Sequence, residues 1–85
     1  YNTGYDYCES NPDVVWLNAE DYGGYTSVFR STDGGQTWGS PRKPNGDARA
    51  PASRIAASAT DPLRAVWVPS YARTPKYTTD GGVTW

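Results

Sequence analysis

The sequence predicts an all-β protein made of two similar units, and three observations support this fold class. Short segments rich in β-branched and aromatic residues are separated by Gly, Pro, Asn and Asp, which is the pattern of strands joined by turns. No window sustains the apolar period of an amphipathic helix. An eight-residue phrase occurs twice, as STDGGQTW at 31–38 and as TTDGGVTW at 78–85. Such a repeat indicates a repeated supersecondary unit.

Each unit is predicted to be a four-stranded antiparallel meander, whose strands are named A to D. The predicted strands of the first unit are 4–10, 13–19, 25–32 and 36 to about 40. Those of the second unit are 54–60, 64–69, 75–79 and a fourth that begins at 83.

The units are expected to be separated by a crossing loop. Residues 1–40 form the first unit, 41–53 the loop and 54–85 the second unit, because the stretch between the units is broken by Pro and Gly. The second unit contains only the start of its strand D. We therefore expect the remaining blades, or other copies of the chain, to complete the fold.

Similarity between the units extends beyond the repeated phrase. NPDVVWLN at 11–18 resembles TDPLRAVWVP at 60–69, and YDYCESNP at 5–12 resembles IAASATDP at 55–62. The offset is 50 for the first strands, 51 between Trp16 and Trp67, and 47 for the phrase. These offsets predict one extra residue before the second Trp strand and a loop four residues longer after the first. Both Trp side chains are predicted to be core residues.

The composition limits both the core and the possible partners. The chain has 85 residues, 36% of them hydrophobic, with one Phe and no Met, so four Trp and seven Tyr must supply much of a small core. The net charge is -1 without a run of either sign, which argues against nucleic acid or an anionic membrane as a partner. No apolar stretch is long enough to span a membrane.

The cysteine and histidine counts exclude several kinds of site. The chain has one Cys and no His, so an internal disulfide, a zinc site and a His-dependent triad are excluded. No metal or other cofactor is predicted. Cys8 is predicted to be a small buried residue, the alternatives being a reactive thiol or a bond to another chain.

The repeated phrase is predicted to be a turn between strands C and D. Its two glycines tolerate positive φ, so the chain can reverse sharply. Asp33 and Asp80 can accept hydrogen bonds from amides of their own turns, with Ser31 and Thr78 adding others. The Trp that ends each phrase is expected to pack beneath the turn. An EF-hand is not supported, because the alternate oxygen ligands are missing.

This phrase resembles the Asp-box, or BNR repeat, of β-propellers such as sialidases, sortilin-like receptors and family 74 xyloglucanases. The pattern is Ser/Thr-x-Asp-x-Gly-x-Thr-Trp, and its positions here are Ser31, Asp33, Gly35, Thr37 and Trp38, then Thr78, Asp80, Gly82, Thr84 and Trp85. GYDYCESNPDVVW and RIAASATDPLRAVWVPS are most similar to the family 74 xyloglucanases, with Cys8 where that pattern usually has Ala. The resemblance covers nearly the whole chain. It implies about two blades of a larger enzyme built from two propellers.

We call residues 31–38 the first box and residues 78–85 the second box. A glycan-binding surface is predicted on the face of the units opposite the two boxes. In a meander blade the B to C loops and D to A crossings share one face. That face carries Tyr22, Tyr25, Tyr71 and Arg73, with Glu20 and Asp21 beside them. Tyr rings suit the apolar face of a sugar. The alternative is that these side chains cover the backbone of their own loops.

No catalytic residue is predicted in this chain. Glycoside hydrolysis needs two carboxyl groups at a set separation, and adjacent Glu20 and Asp21 point apart on an extended segment. In family 74 the catalytic aspartates lie in Asp-x-Gly-Gly loops that precede a blade, and the two boxes are not those loops. The sialidase Phe-Arg-Ile-Pro signature is also missing.

The expected function is therefore that of part of a secreted, carbohydrate-active propeller, similar to a xyloglucan or β-glucan hydrolase. The chain would contribute scaffold and part of a glycan-binding cleft. The alternative is a non-catalytic Asp-box module, or a self-assembling repeat whose chains complete each other's sheets.

Overall fold

The structure is a computed structural model that describes residues 3–20, 25–44, 53–69 and 74–85. Within these ranges it contains two three-stranded antiparallel sheets and no helix, so the all-β prediction is confirmed. The first sheet consists of β1 (Thr3–Cys8), β2 (Asn11–Glu20) and β3 (Thr26–Ser31). The second consists of β4 (Arg54–Ala57), β5 (Ala65–Val68) and β6 (Lys76–Thr78). In each sheet the middle strand in sequence is also central in space.

The predicted strand D of the first unit is not formed at 36–40. The turn uses the residues up to Trp38, and pairing begins only where the Gly39 amide donates to the Arg30 carbonyl at 3.0 Å. Arg42 and Val28 then exchange two backbone hydrogen bonds of 2.8 and 2.7 Å as an isolated bridge. Pro41 lies between Gly39 and Arg42 in the sequence and has no amide hydrogen to donate. Residue 83, where the second strand D was predicted to begin, also lies within its turn.

Alternation along the strands sends one side of each sheet into a shared core. β2 buries Val14, Trp16 and Asn18 on one side, as the period of two requires. β5 buries Ala65 and Trp67 in the same way. The apolar core joins both sheets in one cluster of Cys8, Val14, Trp16, Val28, Ile55, Ala65 and Trp67. Burial of Cys8 and of both tryptophans is confirmed, since each is 0% exposed.

The strand registers correct the predicted alignment of the two units. Trp67 pairs with Ile55, whereas the residue that pairs with Tyr5 is Leu17. Trp67 is therefore the counterpart of Leu17, and the counterpart of Trp16 is Val66, at a constant offset of 50. No extra residue precedes the second Trp strand, and the loop after the first is longer by three residues, not four.

This one-residue difference decides the direction in which the sheets stack. Shifting a strand position by one moves its side chain to the opposite face. Trp16 therefore points from the first sheet towards the second, and Trp67 points from the second sheet towards the first. The two sheets meet through different faces, so the second follows the first in the same orientation.

We name the buried sides the inner faces and the opposite sides the outer faces. The outer face of the first sheet carries Tyr5, Tyr7, Val15, Leu17 and Phe29. The outer face of the second sheet carries Arg54, Ala56, Val66, Val68 and Tyr77.

Candidate functional site

Both repeated phrases form the same hydrogen-bonded turn. The Ser31 hydroxyl donates to Asp33 Oδ1 at 2.7 Å and accepts from the Gly35 amide at 2.9 Å. Asp33 Oδ1 also accepts from the Thr37 amide at 2.9 Å, and Asp33 Oδ2 accepts from the Thr37 hydroxyl. The predicted acceptor role of the carboxylate towards its own turn is present. The turn satisfies its own polar groups.

The second turn repeats these bonds with Thr in place of Ser. The Thr78 hydroxyl donates to Asp80 Oδ1 at 2.7 Å and accepts from the Gly82 amide at 2.9 Å. Asp80 accepts from the Thr84 amide at 3.0 Å and from the Thr84 hydroxyl at 2.6 Å. A hydroxyl and a carboxylate at this spacing are thus sufficient to specify the turn, whichever β-hydroxy residue is present.

Both glycines of each turn have positive φ, which L residues rarely adopt. The values are 73° and 92° for Gly34 and Gly35, and 76° and 91° for Gly81 and Gly82. Gly34 donates to the Asp13 carbonyl and Gly81 to the Leu63 carbonyl, both at 2.9 Å. The first turn is thereby tied to the start of β2, and the second to the turn between β4 and β5.

These hydrogen bonds set the ionisation of the two carboxylates. Bonds from the Thr37 hydroxyl, the Thr37 amide and the Ser31 hydroxyl lower the pKa of Asp33 from 3.8 to about 2. The pKa of Asp80 is lowered to about 2 by the matching bonds from Thr84 and Thr78. Each carboxylate remains ionised at neutral pH and is unsuited to act as a general acid.

The second box also packs against the first sheet. The Trp85 ring meets the Trp16 ring edge to face, with centroids 6.1 Å apart. Gly82 lies so close to Trp16 that an added Cβ would be 3.3 Å from its ring. Trp85 Nε1 donates to the Gly82 carbonyl at 3.1 Å, which fixes the ring over its own turn. The expectation that this Trp packs beneath the turn is met at Trp85.

Trp38, in the first box, is 38% exposed. Its ring lies beside Gly35, where an added Cβ would be 3.5 Å away. The two boxes therefore have the same turn but different packing.

A polar network that the sequence did not predict holds the two sheets together. Asn18, 1% exposed, donates to the Ser53 carbonyl at 3.1 Å and accepts from Trp67 Nε1 at 3.1 Å. The Ser53 hydroxyl lies 3.2 Å from the Asn18 carbonyl oxygen and 3.0 Å from the Thr26 hydroxyl. The sequence signal for this network is Asn18, which lies on the same side of its strand as the predicted core residue Trp16. A buried amide needs hydrogen-bond partners, so its position indicates a polar contact within the core.

Further contacts between the sheets involve charged side chains. The Arg30 guanidinium donates twice to the Pro62 carbonyl, at 2.9 and 3.3 Å, and stacks over the Trp16 ring at 5.6 Å. Asp6 Oδ2 accepts from the Ala57 amide at 2.8 Å. The interface thus combines an aromatic centre with directional polar contacts.

The boxes and the predicted glycan-binding loops lie at opposite ends of the sheets. Both boxes follow β3 or β6 at the end where β2 and β5 begin. The other end carries Glu20 and Thr26, which pair in register, and the neighbouring Tyr25, which is 42% exposed. Tyr22, Tyr71, Arg73 and Asp21 lie outside the described residues, so of the four predicted sugar contacts the structure places only Tyr25.

The described residues contain no cluster of three or more His, Cys, Asp or Glu side chains that could hold a metal ion. Nor do they include a helix that could cross a membrane. Comparison with protein-family models, with curated proteins and with solved structures finds no match to this chain.

Proposed function

We propose that this chain forms two consecutive blades of a secreted, carbohydrate-active Asp-box β-propeller, most similar to the family 74 xyloglucanases. In this proposal the chain contributes scaffold and part of a glycan-binding cleft. The observation that carries it is the stacking of two sheets in the same orientation, each with the same box turn. Blades of a propeller repeat around an axis, so each presents one face to the next blade and its other face to the previous one.

The box turns act as scaffold in this proposal. Each carboxylate is occupied by the hydroxyl and amide donors of its own turn, and Gly82 and Trp85 support the first sheet. Glycoside hydrolysis requires a pair of carboxyl groups, one able to give up a proton. Asp33 and Asp80, both with a pKa of about 2, do not supply that proton donor. We therefore assign this chain no catalytic residue, and the proposal gives it a role in binding and support.

The glycan-binding role is placed at the end of the sheets away from the boxes. Tyr25 lies there with much of its ring exposed, near the end of the buried network around Asn18 and Ser53. A ring on a rigid support suits the apolar C–H face of a sugar, with Glu20 nearby as a hydrogen-bonding group. The proposal also assigns sugar contacts to Tyr22, Tyr71 and Arg73, from their positions in the sequence.

Affinity electrophoresis in gels containing xyloglucan or linear β-glucan tests the binding role. We expect both polysaccharides to slow migration of the chain, with xyloglucan the more effective. Each of Tyr22→Ala, Tyr25→Ala and Tyr71→Ala should weaken binding by roughly tenfold at most, the scale of one aromatic contact. Arg73→Ala should weaken it through the loss of hydrogen bonds.

Tyr5→Ala is the matched control, because Tyr5 is 72% exposed but lies on the outer face of the first sheet. Loaded at a concentration at which the chain is monomeric, it should migrate like the unmodified chain in every gel. Unchanged migration of the folded chain in both polysaccharides would overturn the binding role. Equal retardation of the unmodified chain and of the combined four-residue variant would overturn the assignment of these residues.

A further inference from the structure

We propose that the outer face of the second sheet binds the outer face of the first sheet of a second copy of this chain. Copies would then associate head to tail. This goes beyond the proposed glycan-binding function, because it concerns different surfaces and does not depend on any sugar.

The contact between the two sheets within the chain is the model for the contact between copies. The first sheet offers its inner face, and the second sheet receives it with the face that carries Ile55, Ala57 and Trp67. At the constant offset of 50, the counterparts of these three residues are Tyr5, Tyr7 and Leu17, on the outer face of the first sheet. The outer face of the second sheet therefore corresponds to the inner face of the first, and the outer face of the first sheet corresponds to the inner face of the second. A contact between the two outer faces would repeat the contact between the two inner faces.

Both outer faces expose large apolar side chains. Six of the nine large hydrophobic residues that are exposed in the described part of the chain belong to them or to the first box. They are Tyr5 (72% exposed), Tyr7 (48%), Trp38 (38%), Val66 (43%), Val68 (44%) and Tyr77 (68%). Apolar patches of this kind mark interaction surfaces in soluble proteins.

The polar positions of the internal contact become apolar on the outer face of the second sheet. The counterparts of Asp6 and Asn18 are Ala56 and Val68, at an offset of 50. The counterpart of Arg30 is Tyr77, at the offset of 47 that relates the boxes. Of the five residues named on this face only the exposed Arg54 is charged, so burial of apolar area is the main stabilising term.

The sizes of the side chains also compensate. Within the chain, Asp6 and Trp16 meet the smaller residues Ala57 and Gly82. Between copies, the small Ala56 and Val66 would meet the large Tyr7 and the first box with its exposed Trp38. A cavity of about 300 Å³ over the second sheet, lined in part by Ala56, Val66 and Tyr77, gives room for such a ring. The outer face of the first sheet is thus the occupant that this surface fits.

An interface between two different faces does not close on itself as a twofold dimer does. It generates a ring if the rotation per copy closes, and an open filament if it does not. This property allows a test that separates it from other kinds of association. Val66→Glu disables the receiving face, and Tyr7→Glu disables the inserting face.

Sedimentation velocity on the 85-residue chain, from micromolar to millimolar concentration, provides the measurement. We expect the unmodified chain to exceed its monomer mass of 9.3 kDa increasingly with concentration. Each variant alone should remain a monomer. An equimolar mixture of the two should form a species of twice the monomer mass and no larger, because only one complementary pair of faces is intact.

Val83→Glu is the charge-matched control, since Val83 is 60% exposed on the second box and its counterpart in the first box is the polar Gln36. It should associate like the unmodified chain. Far-ultraviolet circular dichroism of every variant checks that the sheets are formed. A monomer at all concentrations in the unmodified chain would overturn the proposal, as would dimers that persist in both folded single variants. Glycan retardation is read separately, so failure of either proposal leaves the other standing.

Discussion

The two box turns have the same internal bonds but differ in what lies against them. Ser31 and Thr78 are almost fully buried in their own turns, at 1% and 2% exposed, and both bond the following carboxylate at 2.7 Å. The second box lies on Trp16 of the neighbouring sheet, whereas the Trp of the first box is more than a third exposed. The comparison shows that the eight residues specify a turn by themselves. Whether that turn also stabilises the fold depends on the sheet beside it.

The largest predicted difference between the boxes concerns their final tryptophans. Trp85→Ala removes the edge-to-face partner of Trp16 and opens one side of the core, so it should lower the free energy of unfolding by about 2–3 kcal/mol. Trp38→Ala should cost less than about 1 kcal/mol, because its ring already contacts solvent. Urea unfolding followed by circular dichroism, at concentrations where the chain is monomeric, gives both values.

Equal losses in the two Trp variants would contradict the proposed difference in packing. Trp85→Phe serves as an intermediate control, since it keeps an aromatic ring near Trp16 but removes the hydrogen bond from Nε1 to the Gly82 carbonyl. Its loss should lie between those of the two alanine variants.

The next difference concerns the second glycine of each box. Alanine at Gly35 or Gly82 is forced into positive φ, which costs roughly 1 kcal/mol at either site. At Gly82 the added Cβ would also be 3.3 Å from the Trp16 ring, with Arg42 Cγ 3.6 Å away on another side. At Gly35 it would be 3.5 Å from the ring edge of Trp38, which is exposed and can give way. Gly82→Ala should therefore be more destabilising than Gly35→Ala, by about 1 kcal/mol.

Thermal unfolding of the two alanine variants, measured side by side, checks this ordering. If the two variants lost the same stability, the strain of the turn and not its contact with the neighbouring sheet would be limiting. The two Gly residues have almost the same φ, at 92° and 91°, so backbone strain alone predicts no difference.

The sequence predicted local features well because they depend on residues close in the chain. The bonds of Ser31 and Asp33 follow from side-chain chemistry within one turn, and three strands of each meander follow from β-propensity and turn residues. Strand D failed because the turn extends through Trp38 and Pro41 has no donor to offer. A strand pattern read from residue types does not include the length of the preceding turn or the missing amide hydrogen of one proline.

The alignment of the two units failed for a different reason. Matching Trp16 with Trp67 follows residue identity, but the strand registers relate the two hairpins at an offset of 50. A shift of one residue moves a side chain to the opposite face of the sheet. The rings of Trp16 and Trp67 therefore lie on different faces of their sheets, and the two residues are not equivalent. The network around Asn18 was not predicted because its partner Ser53 lies 35 residues away and only the stacking of the sheets brings them together.

The smallest predicted difference between the boxes is their contribution to acid stability, which should be equal. Asp33 and Asp80 have a pKa of about 2 in the folded chain against an ordinary value of 3.8, so between these values the unfolded chain binds more protons. The stability that these carboxylates contribute is complete above about pH 4 to 5 and is lost as the pH falls through 3.8 towards 2. Because the donors are in the same turn in each case, contact with Trp16 should not change the effect.

Urea midpoints measured at steps from pH 5 to pH 2, at constant ionic strength, test this equality. Asp33→Asn and Asp80→Asn should each reduce the acid-induced fall in midpoint by a similar amount, and the double variant should show the background of the rest of the chain. A much larger reduction for Asp80→Asn would mean that the neighbouring sheet strengthens the hydrogen bonds of the second turn. In that case the box turn would depend on its surroundings for its electrostatics as well as for its packing.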